Sequence, residues 1–425
     1  MSLKKKMFQS SPWTIPLLYA LIAVAAGLSF PRIEARMWPG LAAGVSIPTA
    51  TAVYSAIASG MIALTGIVFS LTFVMVQFSA TAYSPRLVFW IARDPVMSHA
   101  LGIFTATFLY AIAALAGLDR SGSGRAPFIS AWVVVAMLFA SVAMFISLIQ
   151  RIGVLQINRM LIFTGDQGRE VIRTMYRSTD STGTGGSREY RQLSPVQTLV
   201  HHGRPRAIQA VDVATLVKLA KASGGVIDLS VAVGDTAGEL QPLLRVFGAR
   251  QAIDERELRR GIDVGEERTF EQDPKYAIRL LVDIAIRALS PAVNDPTTAV
   301  QALDQIGDLL LWLGLSRLDI GEYHDGDGKL RLVVPSPGWE DFLRLGFDEI
   351  RFYGATSVQV TRRMTALLAD LISALPDGRR AALRYWQQRL QDTITRSFVD
   401  AEEKTEASVE DRQGLGIPRR HSEGL

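Results

Sequence analysis

The sequence predicts an α-helical membrane protein with four transmembrane helices, followed by a cytoplasmic α+β region that contains a small β module and a helical bundle with a β-hairpin. Four apolar runs are each long enough to cross a hydrocarbon core of roughly 30 Å. Charge is distributed unevenly, because only three of the 41 acidic residues but ten of the 45 basic residues lie before position 152. The first third of the chain therefore has the composition of a membrane domain, whereas the remainder resembles a water-soluble protein.

The four apolar runs cover residues 13–30, 49–88, 97–118 and 127–149. The first follows Lys4, Lys5 and Lys6, as a signal peptide would, but it lacks an Ala-x-Ala cleavage site. We therefore interpret it as an uncleaved first helix. The lysine cluster and the large polar C-terminal half favour cytoplasmic N and C termini, with the short loops at 31–48 and 119–126 on the outside.

The second apolar run has no charged residue before Arg86, and most of its polar residues fall on one helical face. With about 100° per residue and Ser59 at zero, Gly66 lies at about −20°, Ser70 at about +20° and Gln77 at about 0°. Because an unpaired polar group in hydrocarbon costs several kcal/mol, this face must contact protein or water. The complete polar stripe consists of Ser55, Ser59, Gly66, Ser70, Gln77, Thr81 and Ser84.

Several classes of function lack their usual sequence signals. There is no cysteine in the chain, which excludes disulfides, thiolate nucleophiles and cysteine-bound metals. The five histidines are scattered, and no Walker, Gly-x-Ser-x-Gly or His-Glu-x-x-His pattern occurs. Basic runs interleaved with aromatic residues are absent, so nucleic acid is not an expected partner. We therefore expect no enzymatic activity, no cofactor and no metal site.

Composition predicts five segments along the chain. The β module contains predicted strands at 206–212, 225–233 and 243–247 and a helix at 213–221. Its turn at 233–243 resembles the hairpin of lipoyl and biotinyl carrier domains, but no modifiable lysine motif is present, so we favour a structural module. The segments are a four-helix membrane domain at 1–151, a helical extension and Gly/Ser/Thr linker at 152–187, a small β-rich module at 188–252, a mainly helical domain at 253–400 and a disordered tail at 401–425.

Two Asp-Pro pairs indicate where the helical domain begins its main helices. Asp273 and Asp295 each place an N-cap residue before a proline, which predicts helices at 274–289 and 296–313. A hairpin within 318–334 follows. Further helices are predicted at 339–352, 357–375 and 379–399.

The densest group of polar residues in the cytoplasmic region surrounds these helix starts. Arg279, Asp283 and Arg287 are four residues apart, so they share one helical face and Asp283 can bridge both guanidinium groups. We favour a structural ion-pair network that joins neighbouring helices. The functional alternative is an anion or phosphate site with donors at a helix N-terminus. The group consists of Glu267, Arg268, Asp273, Arg279, Asp283, Arg287, Asn294, Asp295, Thr297 and Thr298.

Three segments carry a resemblance to a known family: GIVFS through SPR at 66–86, ERTFEQDP at 267–274, and LVDIAIRALSPAVNDPTTA at 281–299. They resemble a bacterial family of predicted membrane proteins, domain of unknown function 2254, and the resemblance extends over most of the chain. It implies an integral, multi-pass protein of the bacterial inner membrane with four spans and a soluble C-terminal region. It implies no established activity and no catalytic residues.

Two functional interpretations follow from the polar stripe. In the first, copies of the second helix surround an axis with the stripe inward, forming a channel for ions or small solutes that the cytoplasmic domain gates. In the second, the stripe is a packing seam within one subunit, and the membrane domain anchors a non-conducting signalling or scaffolding region. A helix of about 46 Å over residues 54–84, at 1.5 Å per residue, favours the channel. The expected partners are the lipid bilayer, further copies of the chain, and a small ion or anionic ligand.

Overall fold

The computed structural model describes residues 14–37, 46–82, 95–118, 127–152, 157–176 and 188–414. The chain divides into Met1–Gln156, which we call the membrane unit, and Ile157–Leu425, which we call the C-terminal unit. Three sequence predictions lie outside the described residues: the linker at 178–187, the position of Ser84, and the last eleven residues of the predicted tail.

The described part of the membrane unit consists of the helices α1 (Thr14–Met37), α2 (Ile47–Ala82), α3 (Pro95–Leu118) and α4 (Phe128–Ile152). Each contains a stretch that is long and apolar enough to cross a membrane: Thr14–Glu34, Ile47–Val74, Val96–Leu118 and Phe128–Gln150. The four predicted spans are therefore confirmed.

Helix α3 is the centre of the membrane unit. Half of its membrane-spanning window is buried, against 17–22% for the other three helices, because α1, α2 and α4 all pack against it. Small residues permit this packing. A Cβ atom added at Gly27 of α1 would lie 2.7 Å from the Cβ atom of Ala113 in α3, so the two helices approach too closely for any larger residue at position 27.

The C-terminal unit begins with α5 (Ile157–Met175) and a 3-10 turn (Arg188–Gln192), and then combines sheet and helix. Its strands are β1 (Pro195–Val200), β2 (Arg206–Val211), β3 (Val226–Leu229), β4 (Thr236–Ala237), β5 (Pro242–Phe247), β6 (Ile262–Gly265), β7 (Glu322–His324) and β8 (Leu330–Val333). Its remaining helices are α6 (Val213–Ser223), α7 (Glu255–Arg260), α8 (Pro274–Ala288), α9 (Pro296–Leu315), α10 (Trp339–Tyr353), α11 (Val358–Ala374), α12 (Asp377–Ser397) and α13 (Ala401–Ser408).

Two sheets share one apolar core with α6. The five-stranded sheet has the order β1-β5-β3-β8-β7, and the three-stranded sheet has the order β4-β2-β6. Most pairs are antiparallel, but β3 and β8 are parallel, with Ile227 opposite Leu332. Ile208, Leu216, Ile227, Leu244 and Leu332 are all fully buried in this core, so its apolar surface is removed from water.

The helices of the C-terminal unit pack around α8 and α9. α8 is buried along most of its length, and α5 packs against both α8 and α9. Gly168 of α5 makes this close approach possible, because a Cβ atom there would lie 2.8 Å from Leu309 and 2.9 Å from Ala277. The helices predicted from Pro274 onward are present, with ends within two residues of the predicted bounds.

The structure corrects two predicted segment boundaries. The β module does not end at residue 252, because β6 pairs with β2 and β8 pairs with β3. These partners come from the segment predicted as a separate helical domain, so sheet and helices form parts of one unit. Local composition does not reveal the pairing of strands that lie far apart in the sequence.

The tail predicted to be disordered from residue 401 is also wrong over its described part. Asp400 caps α13 by accepting from the backbone N–H groups of Glu402 and Glu403. Ala407 is fully buried, and Arg362 of α11 donates to the Glu406 carbonyl. Gln359 extends the contact by donating to the Gly414 carbonyl at 2.5 Å. A polar segment can therefore order when its few apolar atoms and its backbone groups find partners.

Candidate functional site

The polar stripe lies on the face of α2 that points away from the other described membrane helices. Ser59, Gly66, Ser70 and Gln77 are exposed, and Ser55 is half-buried. Thr81 belongs to the same helix, although its side chain lies outside the described residues. The buried face lies opposite the stripe, on average about 180° around the helix, and consists of Ala50, Tyr54, Ala58, Met61 and Val68.

No described helix of the same chain covers the stripe at its centre. A Cβ atom added at Gly66 would have no neighbour within 4 Å, and the same is true of Gly60, which lies on the same helix outside the stripe. A packing seam within one subunit needs a neighbouring helix there. Within the part of the chain that the structure describes, no such helix lies against the stripe at Gly66.

Hydroxyl groups on and off the stripe differ in their hydrogen bonds. Thr65 and Thr72, which face the packed side, donate to the carbonyls of Met61 and Val68, each at 2.7 Å. The hydroxyls of Ser55, Ser59 and Ser70 make no hydrogen bond to any described residue. In hydrocarbon these groups need water or another chain as partner. These three hydroxyls all lie on the stripe face of α2.

A buried polar cluster joins all four membrane helices at one end of the unit. Glu34 of α1 is 5% exposed. Its two carboxylate oxygens accept from the backbone N–H groups of Ile129 at 2.9 Å and Ser130 at 3.1 Å. The carboxylate thus serves as the N-cap of α4 from another helix, where it also meets the positive end of the helix dipole.

Two tyrosines complete this cluster. Tyr110 of α3 and Ser130 of α4 share a hydrogen bond of 3.2 Å between their hydroxyls. The buried Tyr54 hydroxyl of α2 lies beside Ser130 but makes no hydrogen bond of normal geometry with a described residue. The sequence did not reveal this cluster, because Glu34 falls within the predicted loop at 31–48. The sequence does contain one indication of the cluster. Glu34 closely follows the first apolar run and is one of only three acidic residues before position 152.

In the C-terminal unit, Arg279 binds two carboxylates. Its Nε donates to Asp283 at 2.7 Å, and its Nη2 donates to Glu349 of α10 at 2.9 Å. The hydrogen bond to Glu349 is the largest cause that raises the pKa of Arg279, and the same guanidinium lowers the pKa of Glu349. The predicted pairing of Arg279 with Asp283 is present, and Glu349 is the partner that the sequence did not reveal. Arg287 is half-buried in the last turn of the same helix, α8.

The two Asp-Pro helix starts behave differently. Asp295 caps α9 by accepting from the Thr298 backbone N–H at 3.1 Å and from its hydroxyl at 2.5 Å. Asp273 occupies the N-cap position of α8, but its side chain does not cap the helix. Its Oδ2 instead accepts from Nε and Nη2 of Arg268 at 2.8 and 2.5 Å. The predicted side-chain cap at Asp273 is therefore wrong, and the carboxylate forms an ion pair within the preceding loop instead.

The other predicted members of the cytoplasmic network lie at the surface. Asn294 and Thr297 are exposed, and Asn294 adopts a left-handed backbone conformation with φ of 49°. Glu267 is exposed, and its carbonyl accepts from Gln209 at 2.7 Å. The Asp295 carboxylate already accepts from both hydrogen-bond donors of Thr298. Its negative charge would therefore repel an anion at the N-terminus of α9.

The arrangement around Arg279 predicts an order of stability among variants. We expect Asp283→Ala to lower the free energy of unfolding by about 1–3 kcal/mol, and Asp283→Asn by less, because asparagine retains an oxygen that accepts from the guanidinium. The side chains of Arg279 and Asp283 are 18% and 20% exposed, so water replaces the lost partner only in part. Thermal denaturation of both variants tests the order. Equal, wild-type stability of both would contradict a structural network.

The fold and these sites define a class: a multi-span helical membrane protein with a C-terminal α+β unit. The chain belongs to the family described as "Predicted membrane protein (DUF2254)", whose match covers residues 9–370. An uncharacterized protein of Mycobacterium bovis, Mb1321c, is 29% identical over 397 residues, which is 91% of this chain and 74% of that protein. The uncharacterized protein Rv1290c of Mycobacterium tuberculosis has the same identity and coverage. No solved structure matches.

Proposed function

We propose that copies of this chain assemble in the bacterial inner membrane into a channel for ions or small solutes, with the α2 stripe lining the pathway. The observation that carries the proposal is the outward position of Ser59, Gly66, Ser70 and Gln77 on a membrane-spanning helix. The Ser59 and Ser70 hydroxyls on this face need partners that lipid does not supply. A water-filled pathway between subunits supplies them.

The size and shape of the residues on this face also suit a pathway. Besides the stripe residues, Ala52, Ala56 and Ala63 lie within about 60° of its centre line, so small side chains predominate there. Ile67 and Phe69 lie further out and are 60% and 53% exposed, whereas Phe73, 62% exposed, lies only about 40° from the centre line. The face is therefore mainly small and polar between Ala52 and Ser70, and Phe73 adds a large apolar side chain near its centre line.

The helix that follows the last span supports gating by the C-terminal unit. α5 begins five residues after α4 ends, and it is fastened to α9 by an ion pair of 2.5 Å between Arg169 and Asp308. Phe163 of α5 also contacts Phe270 with ring centroids 6.5 Å apart. A rearrangement of α8 and α9 would therefore move α5, which follows the last span closely in the sequence. We include cytoplasmic N and C termini in the proposal because of the lysine cluster at 4–6.

The assembly state and the flux of the purified protein test the proposal together. We expect multi-angle light scattering in detergent to give a closed oligomer, and liposomes containing the protein to release a monovalent ion or a small solute. The control is the same protein inactivated by heat before reconstitution. A monomer without flux over a panel of monovalent and divalent ions would overturn the channel and favour a non-conducting anchor for the C-terminal unit.

A further inference from the structure

A groove of about 550 Å³ lies between α10 and α12 in the C-terminal unit. The two helices run in the same direction. Trp339 at the start of α10 donates to the Arg379 carbonyl near the start of α12, and Arg351 near the end of α10 donates to the Thr393 hydroxyl at 2.6 Å. The volume of the groove falls within the range of about 300–1,000 Å³ that is typical of small-molecule sites.

The wall that α12 contributes is apolar and aromatic. Ala381 and Ala382 present only methyl groups there, and Tyr385 and Trp386 follow one turn later. The Tyr385 side chain is 57% exposed, whereas Trp386 is 5% exposed and packs against Phe347 with ring centroids 6.1 Å apart. This wall can therefore contact an apolar or aromatic group of a ligand, and Trp386 is held in place by the core behind it.

An ion pair bounds the groove toward the C-terminal ends of the two helices. Arg389 of α12 lies over the Trp386 ring at 5.4 Å and donates to the Tyr385 hydroxyl at 3.3 Å. The carboxylate of Asp348, on α10, lies 3.9 Å from the same guanidinium and also accepts from Arg351 at 2.8 Å. The charges of Arg389 and Asp348 therefore already have partners within the protein.

The wall that α10 contributes carries two further charges, of opposite sign. Glu340 and Arg344 both line the groove and are exposed. Neither forms an ion pair or a side-chain hydrogen bond with any residue that the structure describes. Because they are four residues apart, their side chains leave the helix on the same face, about one turn from each other. Both charged groups can therefore contact one molecule in the groove.

These charges determine the class of ligand. A ligand with a single charge would be attracted by one of the two side chains and repelled by the other. A zwitterion offers a carboxylate to Arg344 and an ammonium group to Glu340, and both contacts are charge-assisted hydrogen bonds. The methyl groups and the Tyr385 ring on the opposite wall suit an apolar or aromatic side chain on the same molecule.

We propose that the groove between α10 and α12 binds a free α-amino acid with an apolar or aromatic side chain. Glu340 binds its ammonium group, Arg344 binds its carboxylate, and Tyr385 with the two alanines contacts its side chain. The proposal does not depend on channel function, because every residue that it uses lies within the C-terminal unit.

Titration calorimetry of the full-length protein in detergent tests the ligand class. We expect saturable binding of L-phenylalanine and L-leucine. Two analogues of phenylalanine each lack one charged group: 3-phenylpropionate has no ammonium group, and 2-phenylethylamine has no carboxylate. Each should bind at least about tenfold more weakly than phenylalanine, because one charge-assisted hydrogen bond is lost and one protein charge meets no partner.

Variants of the groove test the residues. Glu340→Gln and Arg344→Gln should each weaken phenylalanine binding about tenfold, whereas Glu340→Gln should not weaken binding of 3-phenylpropionate. Ala381→Leu should abolish binding by filling the groove, and because Ala381 is exposed, the melting temperature should stay at the wild-type value. Arg384→Gln is the matched control, since Arg384 is exposed on α12 but does not line the groove, and it should bind phenylalanine like wild type.

Three results would each overturn the proposal. One is the absence of saturable binding of phenylalanine and leucine up to about 10 mM, which is weaker than any specific site of this kind requires. Another is equal affinity for phenylalanine and for both analogues, which would show that the charges contribute nothing. The third is wild-type binding by Ala381→Leu, which would place the bound amino acid elsewhere on the protein.

Discussion

Gly66→Leu should lower ion flux by at least about tenfold, which corresponds to about 1.4 kcal/mol on the barrier for permeation. The leucine side chain would project from the centre of the polar stripe into the proposed pathway and replace polar lining by hydrocarbon, which favours dewetting. No neighbour lies within 4 Å of the added Cβ atom in the subunit itself, so the fold of the subunit should tolerate the change. Flux into liposomes and thermal stability, measured in parallel, test this expectation.

Gly60→Leu is the matched control. Gly60 belongs to the same helix and is equally free of neighbours within 4 Å, but it lies about 120° from Gly66 around the helix axis. It should therefore retain near wild-type flux, whereas Ser70→Leu should behave like Gly66→Leu. Equal loss of flux at positions 60 and 66 would show that leucine acts through lipid contact or insertion rather than through a pathway along the stripe.

Glu34→Ala should reduce the free energy of unfolding of the membrane unit by about 2 kcal/mol, at the upper end of N-cap effects. The substitution leaves the N–H groups of Ile129 and Ser130 without their acceptor, in surroundings where water replaces it poorly. Glu34→Gln retains one carbonyl oxygen and should lose less. Tryptophan fluorescence during heating in detergent can follow the transition, because α4 contains the 60% exposed Trp132.

The control for this series is Arg36→Ala. Arg36 lies two residues further along α1 and is exposed, so its removal should leave the transition within about 0.5 kcal/mol of wild type. If Glu34→Ala were as stable as Arg36→Ala, the carboxylate would contribute nothing to the N-terminus of α4. The cluster at that end of the unit would then depend on the Tyr110 to Ser130 bond alone.

Elements set by local pattern were predictable from the sequence. The spans follow from apolar runs, and the helices starting at Pro274 and Pro296 follow from proline at the first helical position. The strand at β2 and the helix α6 also lie where alternation and periodicity placed them. In each case the residues that determine the element are the residues within it.

Features that depend on distant residues were not predictable in this way. Glu349 lies 70 positions from Arg279, and β8 lies about a hundred positions from its parallel partner β3. The sequence predicted the polar stripe on one face of α2. Only the packed structure shows that this face points away from α3. Asp273 shows that local sequence can also mislead. Its position before a proline predicts a helix cap, but its carboxylate forms an ion pair with the nearby Arg268 instead.

The bond between Glu34 and the start of α4 has a consequence for biosynthesis. Glu34 emerges from the ribosome 95 residues before Ile129, an interval of roughly 5–20 s at synthesis rates of about 5–20 residues per second. Throughout that interval the carboxylate lacks the two backbone N–H groups that it binds in the folded unit. The polar cluster at this end of the membrane unit can therefore form only after the fourth span has been made.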